Sequence, residues 1–201
     1  MRVLVACEFS GRVRDEFIKR GHDAWSCDII PSENGGPHIQ DDVLKHLDEG
    51  WDMLIGFPPC TYLCSSGLHW NKRRPERAKL TEEAVEFFLR LWHGPIDKIA
   101  IENPVGCMST RLRKPDCILQ PWQFGHPESK ATCLWLKNLP LLKPTNILKP
   151  QNFTNKGTPR WDNQTPSGQN KLGPSDKRAM ERSKTYMGIA QAMGEQWSVI
   201  Q

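Results

Sequence analysis

Three features of the sequence predict a doubly wound α/β domain built on a mainly parallel sheet. Short apolar runs alternate with amphipathic stretches of helical spacing, the pattern of strands joined by crossover helices. Most of these runs end in polar or turn-forming residues. That puts Ser10, Gly11, Asp28, Asp42, Cys60, Glu102 and Asn103 on one rim of the sheet, where open α/β sheets bind ligands. The length, 201 residues, suits one domain spanning 1–201 with its own core.

Residues 3–6, Val-Leu-Val-Ala, read as a first strand. Ser10 and Gly11 then turn the chain into an amphipathic helix that closes before Gly21. Residues 23–27 read as a second strand closed by Asp28, and a loop rich in Pro, Gly and Asn leads on to 40–43. A third strand, 52–56, runs straight into Phe57-Pro58-Pro59-Cys60. From Leu80, residues Ala84, Phe87, Phe88 and Leu91 recur at helical spacing, with Thr81 as the expected N-cap and Glu82 and Glu83 at the positive end of the helix dipole. Residues 98–101 form another strand, stopped at Glu102-Asn103-Pro104 by the proline. Residues 132–136 supply one more. The span 145–184 is longer than an ordinary connection and reads as a binding loop or a partly disordered one. Ile189, Met193 and Trp197 then share one face of a terminal helix within 185–197.

Hydrophobic residues at 38% and charged residues at 25% give the balance of an ordinary soluble domain, and no apolar run approaches the roughly 18 residues of a membrane span. The chain enters its first strand without the layout of a signal peptide, so a cytoplasmic protein with no membrane partner is expected. Seven cysteines without secretory context are expected to be thiols; Cys7, Cys27 and Cys133 lie in apparent strands and read as packing residues. A net charge of +4 does not by itself mark a nucleic-acid binder. Basic residues nevertheless crowd 72–79, including Arg73 and Arg74, and outnumber acids from Lys143 to Lys184, Lys177 among them. A solvated surface and a phosphate-binding surface fit that clustering equally well.

Two chemical elements stand out. The first is a cofactor rim, in which a glycine turn lets a ligand approach the backbone and acids at the next strand ends accept ribose hydroxyls. Glu8-Phe9-Ser10-Gly11 is only a partial glycine fingerprint and does not choose among a nucleotide, AdoMet or no cofactor. The second is the pair formed by Cys60 and Glu102. A lone cysteine is more often a buried structural thiol, but two prolines and a rim position favour a held nucleophile. An isolated Glu102 would be a helix cap; opposite a thiol, it could polarise an aromatic ring by hydrogen bonding to a ring nitrogen.

Gly56-Phe57-Pro58-Pro59-Cys60 followed by Glu102-Asn103-Pro104 resembles the Pro-Cys and Glu-Asn-Val motifs of cytosine-5 DNA methyltransferases, especially small phage-type members. The resemblance covers residues 3–135 and 185–197. It implies the Rossmann-like fold of class I AdoMet-dependent methyltransferases, with S-adenosyl-L-methionine as cofactor and DNA, double- or single-stranded, as partner. It further implies a monomer working in the cytoplasm of a bacterial or phage-infected host cell. Phe9, Ser10 and Gly11 would wrap the cofactor, Asp28 and Ile29 would meet its ribose, and Asp42 and Val43 its adenine. Pro59 would shape both cofactor and base sites, and Leu80, opening the long helix, would line the cofactor site. Cys60 would add to carbon 6 of cytosine, Glu102 would contact the ring nitrogen, and Asn103 would brace the cysteine turn. Arg73 and Arg74, on a lid formed by 61–79, would meet phosphate. The terminal helix resembles the family's last motif, which closes the cofactor site, and such an ending is what a complete chain would carry.

The arginine-rich base clamp of the family is reduced here to Lys130 and Thr132, and 145–184 stands where the family has a target-recognition domain. The alternatives are therefore the same chemistry on a free cytidine nucleotide, single-stranded nucleic acid or RNA, and a noncatalytic AdoMet-binding or zinc-stabilised nucleic-acid-binding protein. The zinc reading would draw on Cys60, Cys64, Cys107, Cys117, His126 and Cys133, whose spacing matches no common zinc pattern; no metal is expected. Trp122 and Trp135 read as core, and Trp161 as the better candidate for stacking on a base.

Overall fold

The computed structural model describes residues 1–172 and 178–199; residues 173–177, Lys177 among them, and the last two residues lie outside these. In chain order the main elements are β1 (Arg2–Ala6), α1 (Arg12–Ile18), β2 (Asp23–Asp28), β3 (His38–Gln40), β4 (Met53–Gly56), α2 (Ser65–Leu68), α3 (Pro75–Trp92), β5 (Lys98–Pro104) and α4 (Met108–Arg111). Next come β6 (Cys117–Leu119), β7 (Thr132–Lys137), β8 (Asn152–Phe153), β9 (Pro159–Arg160), α5 (Arg178–Ser183) and α6 (Met187–Trp197). One sheet of seven strands runs β3-β2-β1-β4-β5-β7-β6. All neighbours from β3 to β5 are parallel, while β7 is antiparallel to both β5 and β6. The order is the dinucleotide-binding 3-2-1-4-5-6 with one reversed strand slotted before the last. The mainly parallel α/β class is therefore as expected from the sequence; the direction of β7 and the short strands β3 and β6 are additions to it.

Strand β1 explains why both faces of the sheet are covered. Val3 and Val5 join one core cluster, with Val13 and Phe17 of α1 and Ile189, Met193 and Trp197 of α6. Leu4 and Ala6 point the other way, into a cluster with Val85, Phe88 and Leu91 of α3. A strand buried on both faces needs an unbroken apolar run, and Val3-Leu4-Val5-Ala6 supplies one. Helix α6 lies against α1 closely enough that a Cβ on Gly194 would stand 3.0 Å from that of Glu16.

Two sequence expectations need correction. Helix α3 starts at Pro75, whose fixed φ and missing N–H suit a first helical position, rather than at Leu80. Leu80 consequently sits inside the helix with its side chain 37% exposed, and Thr81 is a buried interior residue whose hydroxyl donates to the Tyr62 carbonyl at 3.2 Å. The segment 61–79 is also more ordered than a plain loop. It holds α2 and a 3-10 turn, His69–Lys72, and is stitched to the β5–α4 connection by Ser65 N–H to Val105 O and Cys107 N–H to Leu63 O. Gly106 is required there, since a Cβ would fall 1.9 Å from the Leu63 carbonyl oxygen.

The 145–172 span carries the β8–β9 hairpin, and Trp161 is buried in a flat stack on Trp122, centroids 5.5 Å apart and planes 3° from parallel. Trp161 is thus a packing residue rather than an open platform. Trp135 is fully buried and meets Phe88 edge to face.

Glu8 is a structural surprise. Its side chain is buried and accepts hydrogen bonds from the backbone N–H groups of Val13 (2.7 Å) and Arg14 (3.2 Å), so an internal carboxyl group caps α1. Burial pushes its pKa up to about 7, against the pull of those amides and of the Arg14 guanidinium. The fold therefore keeps a proton on Glu8 that the unfolded chain releases above about 4.5. The stability tied to this group is present at low pH and declines as pH rises through about 7. Between about pH 5 and pH 8, the melting temperature of the wild type should fall relative to that of Glu8→Gln. Parallel curves for the two proteins would mean that Glu8 ionises as freely in the fold as outside it.

Candidate active site at the carboxyl rim of the sheet

In-register parallel pairing brings the ends of β1, β2 and β4 level: Ala6 lies opposite Cys27 on one side and Gly56 on the other, and Gly56 opposite Ile101 of β5. The loops that leave these strands therefore meet at one edge. After β1, the chain turns at Cys7 (φ 58°) and reaches Phe9 and Ser10, both buried, then Gly11. Gly11 has φ 68°, and a Cβ there would collide with the Arg14 guanidinium at 2.3 Å, so only glycine fits. Arg14, itself buried, reaches across to Ser26, Asn34 and the Pro37 carbonyl, tying α1 to the loop after β2.

That loop begins with Asp28, half-buried, whose Oδ1 accepts from Ile30 N–H at 3.2 Å and whose pKa burial raises. Ile29 beside it is 74% exposed. Asp42 caps the 3-10 turn Val43–Lys45 through Leu44 N–H at 3.0 Å, and Val43 is buried in the core, offering a ligand only its backbone. The first helical amides that would usually receive an anion are taken by Glu8. The rim thus presents two carboxylates and a glycine turn, acceptors fit for the hydroxyls and amino group of a nucleoside rather than for a phosphate.

Beyond β4, Pro58 is buried, Pro59 and Cys60 are exposed, and the Cys60 carbonyl accepts from the amides of Leu63 and Cys64, starting a helical turn. Strand alternation on β5 then decides the site. Glu102 shares a face with Ala100 and, across the antiparallel pair, with Leu134 and Thr132; Asn103 faces the opposite way. Asn103 is buried and its Nδ2 donates to the Pro58 carbonyl at 2.9 Å, linking β5 to the cysteine turn.

Glu102 looks into a cavity with Phe57, Lys130, Thr132 and, from the C-terminal segment, Thr185, Tyr186 and Ile189. Burial raises the Glu102 pKa, partly offset by Lys130 and the Thr132 hydroxyl. The Cys60 thiol is likewise pushed up, first by desolvation, then by the charge of Glu102; Lys130 and Arg182 pull it down. Glu102, Lys130 and Thr132 therefore line one space, and Cys60, which does not line it, lies near enough to feel the charges of Glu102 and Lys130. Lys130 and Arg182 supply a positive field that favours a thiolate, but desolvation and the neighbouring acid outweigh it.

The roof of the cavity carries no signature in the sequence. Lys130 Nζ donates to the Arg182 carbonyl at 2.8 Å, Tyr186 donates to Glu128 at 2.6 Å, and Arg12 donates to the Thr185 carbonyl at 2.7 Å. Lys184 pairs with Glu33 at 2.6 Å and stands over the Phe9 ring. These contacts join residues 52 to 173 positions apart, so no local pattern announces them. Arg73 and Arg74 lie elsewhere, with both guanidiniums turned onto the indole of Trp70. Leu80 is exposed on α3 and does not line the cavity beside Glu102. Among the described residues, no three His, Cys, Asp or Glu side chains come together to hold a metal, so the zinc-stabilised reading finds no ligand set there. No helix among them is long and apolar enough to cross a membrane.

No family model and no curated protein matches the chain. Among solved structures it is similar to a prophage-encoded Escherichia coli protein provisionally named a DNA modification methyltransferase, at 16% identity and a TM-score of 0.46, covering 77% of this chain and 56% of that one. It is also similar to a methyltransferase from Entamoeba histolytica, at 16% identity and a TM-score of 0.49, covering 78% of this chain and 61% of that one. The chain thus spans less than two thirds of either protein, and likeness at this level says nothing of reaction or substrate.

The thiol environment carries its own test. Peptide mapping of iodoacetamide-treated protein across pH should give Cys60 a pKa above that of an ordinary cysteine, and Glu102→Gln should move it down. A Cys60 titration that stays put or moves up in Glu102→Gln would remove the acid from the thiol's surroundings.

Proposed function

We propose that this chain transfers a methyl group from S-adenosyl-L-methionine to carbon 5 of cytosine in DNA, through a covalent adduct with Cys60. The observation that carries the reading is a thiol on an exposed, proline-stiffened turn that feels the charge of a buried carboxyl group whose own pKa is raised. The motif order Pro-Pro-Cys then Glu-Asn on consecutive sheet strands supports it further.

In this reading the cofactor lies along Phe9, Ser10 and Gly11, with its sugar at Asp28 and Ile29 and its base near Asp42 and Val43; when bound it supplies the methyl group. Pro59 walls the boundary between cofactor and base. The closed cavity, about 20 Å³, holds little more than a water, so the cytosine, extruded if it comes from a duplex, takes its place beside Glu102 as residues 183–189 move aside. Cys60 gives its proton to solvent water and the thiolate adds to carbon 6, while Glu102 gives its proton to the ring nitrogen and so receives the charge that develops there. Carbon 5 becomes nucleophilic toward the methyl donor. Solvent water takes the proton from carbon 5, the freed electron pair expels the Cys60 sulfur as thiolate, and the ring nitrogen returns its proton to Glu102, which restores the aromatic ring. Lys130 and Thr132 hold Glu102 and the base edge, and Asn103 keeps the cysteine turn in register through Pro58.

A second reading keeps this chemistry and changes the substrate to single-stranded nucleic acid or a free cytidine nucleotide. It is favoured by the little regular secondary structure between 145 and 172, where one hairpin of two two-residue strands stands. Tritiated AdoMet offered with duplex DNA, single-stranded DNA and dCMP separates the two. Cys60→Ser should lose at least about a thousandfold in methyl transfer while still binding AdoMet, and Glu102→Gln about 10²- to 10⁴-fold. Normal cytosine methylation by Cys60→Ser would end the covalent mechanism.

A further inference from the structure

Trp70 stands out among the exposed apolar side chains because it is large, 39% exposed and built into a basic cluster. The 3-10 turn His69–Lys72 ends with the amides of both Arg73 and Arg74 donating to the Trp70 carbonyl at 3.0 Å. This tight turn folds the two arginines back over their own tryptophan. Their guanidinium carbons lie 5.8 and 5.1 Å from the indole centroid. His69 packs at a tilt against the same ring, centroids 4.9 Å apart.

Among the described residues, neither Arg73 nor Arg74 donates a side-chain hydrogen bond or pairs with an acid, and Lys72 is likewise without an acidic partner. The neighbouring Arg77 is different. It lies over Tyr62 and donates to the carbonyls of Thr61 and Gly67, at 3.0 and 3.2 Å, so it is a structural residue that pins the cluster beside the cysteine turn. A guanidinium stacked on an aromatic face keeps its in-plane N–H groups available, and those are the groups that grip phosphate. Holding uncompensated cations together costs electrostatic energy, which an arriving anion would relieve.

We infer that Trp70, Arg73 and Arg74 form a platform for an unpaired stretch of DNA next to the target cytosine, a base stacking on the guanidinium-capped indole and the in-plane N–H groups of the two arginines taking the adjoining phosphates. The inference rests on the proposed action on DNA and specifies which part of it the protein grips. An aromatic face flanked by phosphate-binding cations is sequence-tolerant and accepts bases that are not already stacked in a duplex. The preference is therefore for a single strand over the same sequence in duplex form.

The test is fluorescence anisotropy of a labelled single-stranded oligodeoxynucleotide and of its duplex, with the full chain and without AdoMet. Trp70→Ala should weaken binding to the single strand by about 5- to 100-fold, and Trp70→Phe should retain most of the affinity. Changing both arginines to glutamine should flatten the dependence of log K on log salt by about 1.4, whereas Trp70→Ala should leave that slope alone. A purely structural role for the cluster would not divide the two effects in this way. Single-strand binding by Trp70→Ala within twofold of wild type overturns the platform, as does a wild type that fails to bind the single strand or binds the duplex equally well. Methyl transfer is read separately. Platform variants that behave as described in a protein that methylates no cytosine would overturn only the enzymatic reading.

Discussion

Strand β5 is the hinge of the whole arrangement, because alternation along one strand turns two successive side chains to opposite faces of the sheet. Glu102 goes to the α1–α6 face, where a cavity lies, and Asn103 goes to the α3 face, where it reaches the turn that presents Cys60. A one-residue slip of β5 would exchange them. The slip is prevented by the apolar residues that come before, since Ala100 belongs to one core cluster and Ile99 and Ile101 to the other. Core packing therefore sets the register on which the polar end depends. The register of β5 with β4 in turn fixes where the Pro58-Pro59-Cys60 turn begins.

The reversed strand β7 completes the geometry. A parallel neighbour at that position would run its own carboxyl end to the rim; the antiparallel β7 instead begins there, so Lys130 and Thr132 arrive beside Glu102 from the amino-terminal side of a strand. The C-terminal segment then comes over the top, held by backbone carbonyls of Arg182 and Thr185 that accept from Lys130 and Arg12. These are bonds from cationic side chains to main-chain acceptors, so they hold the roof without using up an acidic group of the site. On the proposed reading, substrate entry requires that Lys130 exchange a carbonyl for a ligand acceptor, a trade between similar charge-assisted bonds.

Much of the rim is legible in the sequence because parallel strands write their ends plainly: an apolar run, then Ser-Gly, Asp, Pro-Pro-Cys or Glu-Asn. Each of these signals is local. The contacts that join distant segments leave no such mark. Glu8 is one letter of a weak glycine motif, yet its carboxylate occupies the helix amides that such motifs normally leave open. Pro75 is hard to see as the start of α3 because the basic run around it masks the apolar period, which only emerges after Leu80. Arg73 and Arg74 read as loop cations, and nothing in their spacing tells that the turn folds them back onto Trp70. Trp161, free of apolar neighbours in the sequence, finds its partner in Trp122, far back along the chain.

The thiol and the acid of the candidate site constrain one another. Each is raised by burial, and Cys60 is raised further by the charge on Glu102, so the two resist being ionised together. On the proposed mechanism this coupling is useful in one direction. While Glu102 keeps its proton for the ring nitrogen, the chief negative charge opposing a Cys60 thiolate is absent, and Lys130 and Arg182 pull the thiol pKa down. Once Glu102 has given its proton to the base, its carboxylate faces a sulfur already bound to carbon and no longer charged. The same charge that hinders the free thiolate would then favour the adduct over its reversal only until carbon 5 has taken the methyl group. After that the leaving sulfur departs as an anion, and the return of a proton to Glu102 from the ring nitrogen again clears its way. A single proton shuttled across the base in this manner keeps the site from ever holding two adjacent anions, which is what a partly buried pair can least sustain.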